Sequence, residues 1–253
     1  MNAIRIAAHT YPFRDRSLGA ALDALASLQL SRVEIWLGHA GEGPEAVRVL
    51  LRERGLEAAA VSAGGFYAAD SDVIPRTFEL AEALEVSVVV ACVPPAVLDA
   101  VVDRVPAGLT LCVENHWDQA LATSRELSAV LAAHPRIAAC LDTGHALLAG
   151  EAPERAIAAL APRVGHVHLK DAAFPALHVG LLGRRLRRRL LQRPQAVAPG
   201  TGALDVGRVR RALEAARYEG TVTVEHEGSE PTAALELLLE AWAPSGEAIV
   251  GTL

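Results

Sequence analysis

The chain has 253 residues, 51% apolar by a broad count and 21% charged, with 24 basic residues against 30 acidic ones and a net charge of −6. The apolar content excludes a disordered chain, no run of about 18 uncharged apolar residues is present to span a membrane, and the acidic balance argues against a nucleic-acid partner. The N-terminal MNAIRIAAHTYPFRDR passes straight from a strand-like run into charge, without the apolar core of a signal peptide. The expectation is therefore a cytoplasmic protein.

Eight short apolar runs succeed one another along the chain. They are 3–8, Arg32–Leu37, Ala58–Ser62, Val86–Val93, Leu109–Val113, Ile137–Leu141, Val164–Leu169 and Thr221–Val224. Several lack polar alternation, as strands buried on both faces do. Helix signals separate them. Ser17 can cap Leu18–Leu28, Pro44 suits a first turn that ends near Gly55, and Pro75 and Pro95 open the next two helical patterns. Ser124 precedes Arg125–Ala133, Pro153 opens a helix that ends before Pro162, Asp205 can cap Val206–Arg217, and Pro231 precedes Thr232–Trp242. Such punctuation marks helix ends. Strand and helix repeated eight times in about 250 residues predict a single-domain (β/α)8 TIM barrel. An open doubly wound sheet would carry a glycine-rich turn after its first strand. Here that turn reads HTYPFRDRS.

The last interval is long. Within it Leu181–Arg193, LLGRRLRRRLLQR, carries six arginines. It predicts an amphipathic helix with a basic face, in an insertion over 173–199 that forms a lid or an oligomer contact. Cys92, Cys112 and Cys140 each sit in an apolar run with no CxxC, so they read as buried thiols.

In such a barrel, chemistry is built at the C-terminal ends of the strands. The fifth run is followed by Glu114-Asn115-His116, and the sixth by Asp142-Thr143-Gly144-His145. The seventh ends in His166-Val167-His168-Leu169-Lys170-Asp171, and the eighth leads into Glu225-His226-Glu227. Carboxylates and imidazoles at strand ends are shielded from water, and a divalent cation satisfies several at once. Glu114, Asp142, His168 and Glu225 offer three hard oxygens and one imidazole, a set suited to Mn²⁺ or Mg²⁺ and open to Co²⁺ or Zn²⁺. His166 and His168 point to the same side of their strand, and His168 is nearer the mouth. His116, Glu34 and Trp36 are candidate pocket residues, and His9 and His39 lie in loops over the mouth. His226 should face the helices, and Glu227 reads as a rim residue. Lys170 is the one lysine beside 23 arginines. A compact ammonium does work that a planar guanidinium cannot.

The motifs VENH, LDTGHA, HVHLKD, PGTGALD and TVTVEHE, with RVEIW earlier, closely resemble the sugar phosphate isomerase/epimerase superfamily, the xylose-isomerase-like barrels, over essentially the whole chain. The resemblance implies metal ligands at Glu114, Asp142, His168 and Glu225, with the two glutamates moving protons. It also implies substrate contacts at His145 and Lys170. Two carboxylates flanking a metal-held polyhydroxy ketone predict an isomerase or epimerase that works through a metal-stabilised enediolate, with Lys170 and His145 stabilising the oxyanion. The alternative is a lyase of the inosose dehydratase type. An apurinic-site endonuclease would need histidines after strands three and four and an Asp-x-His pair, none of which is present. A metal-free binding barrel is the non-enzyme reading. The expected partner is a small sugar or polyol-derived molecule, with self-association into a homo-oligomer left open.

Overall fold

Valine, isoleucine and alanine dominate the strand runs, and residues of this kind fit a pleated surface covered on both faces. The computed structural model describes residues 4–173, 195–197 and 202–243. Eight parallel strands pair in chain order: β1 (Arg5–His9), β2 (Arg32–Trp36), β3 (Glu57–Gly65), β4 (Val88–Cys92), β5 (Thr110–Glu114), β6 (Ala138–Asp142), β7 (Val164–Leu169) and β8 (Thr221–Val224). The circle closes where Arg5 to Ala8 of β1 register against Thr221 to Val224 of β8. This is a (β/α)8 barrel in one domain, as the alternation predicts.

The connecting helices are α1 (Leu18–Ala26), α2 (Pro44–Glu53), α3 (Val73–Ala83), α4 (Pro95–Val102), α5 (Ser124–Ala133), α6 (Thr143–Ala149), α7 (Pro153–Leu160), α8 (Val206–Ala215) and α9 (Pro231–Trp242). Their apolar faces cover the barrel through Leu22, Leu25, Ile74, Leu127, Ile157, Leu213 and Leu238, all fully buried. Each such side chain contributes roughly 1.5–3 kcal/mol on leaving water. The barrel interior is narrow. Cys112, Cys140 and Val90 pack together there, and the three cysteines are buried free thiols. Gly165 of β7 is required by this filling, since a Cβ on it would stand 2.7 Å from Cys112 Sγ.

Three local features differ from the sequence pattern. Pro75 is the third residue of α3, where its ring is still tolerated because the first turn has no intrahelical partner for its nitrogen. The cap of α5 is Thr123 instead of Ser124. Thr123 and Glu126 form a reciprocal capping box, which leaves the Ser124 hydroxyl and amide to bind the Glu151 carboxylate. Helix α6 is additional to the predicted helices. It starts on Asp142, whose Oδ1 accepts from the His145 amide at 2.7 Å, and stops at Gly150 in the left-handed region (φ 83°). Beyond β7, Ala172–Ala173 pairs antiparallel with Gln195–Ala196. The Arg-rich segment 181–193 and most of the 173–199 insertion lie outside the described residues.

Candidate functional site

The barrel carries its polar residues at one end. Two clamps made by residues just past strand ends set the frame. Asn115 donates from Nδ2 to the Asp142 carbonyl at 3.1 Å and accepts the Asp142 amide at 2.8 Å, locking the end of β5 to that of β6. Thr143 donates from Oγ1 to the Lys170 carbonyl at 2.8 Å and accepts the Lys170 amide at 2.9 Å, locking β6 to β7. Strand ends fixed this way hold their side chains without loop freedom.

Within this frame one atom each from Glu114, Asp142, His168 and Glu225 lies within 4.8 Å of the others. His168 Nδ1 is 2.8 Å from Glu114 Oε1, 3.3 Å from Glu225 Oε2 and 4.0 Å from Asp142 Oδ2. Asp142 Oδ2 is buried and accepts no hydrogen bond among the described residues, although Lys170 Nζ lies 3.5 Å away. A buried carboxylate oxygen left unpaired is costly. A cation would satisfy it, and three hard oxygens with one imidazole are a donor set that fits a divalent ion.

The other ring nitrogen of His168 faces Glu34, at 3.1 Å from Oε1. Glu34 is fully buried and also bonds His166 Nε2 at 2.8 Å, while His166 reaches Thr223 Oγ1 at 2.9 Å. His166 thus sits a layer deeper than His168, as expected. A carboxylate behind an imidazole fixes its tautomer and orientation. His9 joins the same layer, with Nε2 at 2.6 Å from Ser62 Oγ and Nδ1 at 3.5 Å from Glu225 Oε2. It is buried and not part of a solvated loop. Glu114 is held on its far side by the Cys92 thiol, which donates to Oε2 at 3.4 Å.

Burial pushes the Glu225 carboxyl up, but Lys170, His9 and His168 outweigh it and hold the group well below the usual range. Burial also raises Glu114, and the facing His168 brings it below its ordinary value. Asp142 goes the other way. Burial raises it to about 7, Lys170 opposes, and the Glu114 and Glu225 charges add to the rise. Burial and the neighbouring Lys170 and His116 push His145 well down, so its ring is neutral. Burial disfavours the Lys170 ammonium, yet Asp142, Glu225 and Glu227 hold it protonated well above the ordinary lysine range.

Every site residue singled out from the sequence is at this end of the barrel. Trp36, Glu114, His116, His145, His168, Lys170 and Glu225 line one cavity of about 190 Å³, with Asp142 buried against it. The His116 ring lies against the His145 ring, centroids 3.9 Å apart and tilted by 43°, and pairs with Asp118 at 2.5 Å. Glu227 is a correction. It does more than edge the rim, since Lys170 Nζ donates to its Oε1. Tyr11, Tyr67 and Cys92 also line the cavity, and the sequence pattern does not single them out. Tyr11 and Tyr67 carry no spacing signal, because they lie in the turns after β1 and β3, whereas Cys92 is the last residue of β4 and reads from the sequence only as a buried thiol.

Comparison with known proteins identifies the family. The family model described as xylose isomerase-like TIM barrel matches residues 22–244. An inosose dehydratase from Klebsiella pneumoniae is 32% identical over 130 residues, which cover 47% of this chain and 42% of that protein. The match thus spans less than half the length of that curated relative. The crystal structure of a probable 3-DHS dehydratase from Bacillus anthracis superposes with a TM-score of 0.70 at 15% identity, covering 94% of this chain and 98% of that one. A 3-keto-D-glucoside 4-epimerase from E. coli gives 0.68, also at 15% identity, with coverage of 94% and 98%. At such identities the two structures speak for the fold alone.

Proposed function

The chain belongs to the xylose isomerase-like TIM barrel family, and we propose that it is a divalent-metal-dependent isomerase or epimerase of a sugar or small polyhydroxy ketone. The convergence of Glu114, Asp142, His168 and Glu225 within 4.8 Å carries this reading. These four would hold the ion, Mn²⁺ first, with Mg²⁺, Co²⁺ or Zn²⁺ as other occupants. When bound, the ion supplies Lewis-acid polarisation of a substrate carbonyl.

The chain's own groups do the rest. Glu114 and Glu225 come from the ends of β5 and β8, both held ionised. One, as a carboxylate, takes the proton from the carbon beside the carbonyl, and the carboxylic acid so formed returns it to the neighbouring carbon in an isomerisation; in an epimerisation the other, protonated from solvent, gives its proton to the same carbon from the opposite face. Lys170 Nζ and the neutral His145 ring stand 3.5 Å apart. They face the oxygen on which negative charge develops, where a fixed donor is worth most.

A second reading, a dehydratase, is favoured by the inosose dehydratase relative. It shares the first proton removal and then expels a β-hydroxyl. The test is incubation of the Mn²⁺-loaded protein in D₂O with ketoses and keto-inositols. Deuterium should enter substrate next to the carbonyl, and Glu114→Gln and Glu225→Gln should abolish this. Loss of water from a keto-inositol would select the lyase. No exchange into any substrate contradicts both readings.

A further inference from the structure

The three carboxylates of the cluster are presented in the same way. The oxygens that face His168 Nδ1 are Glu114 Oε1, Glu225 Oε2 and Asp142 Oδ2, one from each group. The remaining oxygen of each is turned to a donor of the chain. Asp142 Oδ1 accepts the His145 amide at 2.7 Å, Glu225 Oε1 faces the Lys170 ammonium at 3.6 Å, and Glu114 Oε2 accepts the Cys92 thiol at 3.4 Å. An amide and an ammonium are ordinary partners for a carboxylate. A thiol is a weak donor, and it needs a reason to be there.

Strand register places it. Ala91 of β4 pairs with Val113 of β5, so Cys92 and Glu114 end their strands side by side. On the other side Cys92 pairs with Gly65 of β3, and its carbonyl accepts the Phe66 amide at 2.9 Å. Cys112 and Cys140 are closed off in the barrel interior with Val90, whereas Cys92 lines the cavity. Glu114 is also the most open of the three carboxylates. Its side chain is 11% exposed, against 6% for Glu225 and none for Asp142. It is therefore the one with room to turn, and a cation takes a carboxylate through one oxygen or through both. The fully buried Asp142 Oδ2, which accepts no hydrogen bond among the described residues, marks independently where positive charge is needed.

We infer that Cys92 is a positioning residue whose thiol holds Glu114 Oε2 back, so that Glu114 meets the divalent ion through Oε1 alone. The inference rests on the metal reading under Proposed function. That reading asks two duties of Glu114, ligand and proton carrier, and this arrangement gives one oxygen to each. The weakness of the thiol as a donor suits the second duty, because it orients Oε2 and leaves a lone pair free.

Equilibrium dialysis and electron paramagnetic resonance of the protein loaded with Mn²⁺ alone test it, in wild type, Cys92→Ala and Cys92→Ser. Without the thiol, Glu114 should turn both oxygens on the ion. Cys92→Ala should then hold Mn²⁺ about threefold tighter, and the zero-field splitting of its Mn²⁺ spectrum should change. Cys92→Ser, whose hydroxyl restores a donor, should return affinity and spectrum to those of wild type. A thiol that only supports the ligand predicts the opposite sign, since removing a group behind a ligand ordinarily weakens the metal about 10–100-fold. Weaker or unchanged Mn²⁺ binding in Cys92→Ala, a wild-type spectrum in that variant, or a Cys92→Ser protein that behaves like Cys92→Ala overturns the inference. A wild-type chain that takes up no Mn²⁺ would instead overturn the metal reading.

Discussion

Asp142 shows the opposition between stability and chemistry at single-residue scale. Its carboxyl is buried with one unpaired oxygen and is raised from 3.8 to about 7. A folded-state value above the unfolded one means that the folded chain binds the proton more tightly. The cost is absent below about pH 4, grows as pH rises, and is complete above about pH 7. In a chelator at pH 8, Asp142→Asn should therefore be more stable than wild type, by on the order of 2 kcal/mol. The difference should vanish near pH 4. Denaturant unfolding at both pH values checks this, and a variant that is less stable at pH 8 would refute it. Lys170 is argued from the same cage. Lys170→Arg should keep fold and metal yet lose about 10²–10³ in kcat, because a planar fork cannot stand where one ammonium sits among three carboxylates. Steady-state kinetics with undiminished turnover would reduce Lys170 to an accident of composition. The histidines separate by depth. His168→Ala should abolish metal uptake and His166→Ala should retain it. Glu34→Gln, which loosens the far side of the imidazole, should weaken uptake about 10–100-fold. Equilibrium dialysis ranks the three, and metal loss in His166→Ala alone would reverse the assignment.

At the scale of elements, the strand ends and the residues immediately after them decide the site. Asn115 and Thr143 tie neighbouring ends together, so the ligands on β5, β6 and β7 move as one body. Helix α6 begins on a site residue, whereas α5 is remote from the site and tests the opposite case. Thr123→Ala removes one half of its capping box and should cost about 1 kcal/mol, lowering Tm by a few degrees without changing metal uptake. A change in metal affinity there would mean that the helix layer is coupled to the barrel mouth. The strands were legible because both their faces are buried, so their apolar runs stand out from polar helices. The carboxylates of β5 to β8 were legible because charge immediately after such a run is unusual. Glu34 and His9 were harder to place. Each pairs across the barrel with residues far away in sequence, His166 at 132 positions and Ser62 at 53, and no local spacing encodes that. Helix α6 was hidden because its cap is also the proposed ligand, Asp142. The third carboxylate partner of Lys170, Glu227, lies beyond the strand in a turn whose direction no periodicity sets.

On the scale of the whole molecule, barrel closure converts residues from 9 to 227 into one cavity wall. Strands β1 to β3 bring rings, and β5 to β8 bring charge. A dication that bound this wall would bridge four strands at once and tie folding to metal. At a free concentration 100 times its Kd it should add about 2.7 kcal/mol, or roughly 5–10 °C in Tm. Elemental analysis of protein loaded with Mn²⁺ and then dialysed is the most direct test. Wild type should retain one ion per chain, and folded Glu114→Gln and Asp142→Asn should retain none. A wild-type chain that holds no ion, or either variant holding as much as wild type, would contradict the metal centre on which the account rests.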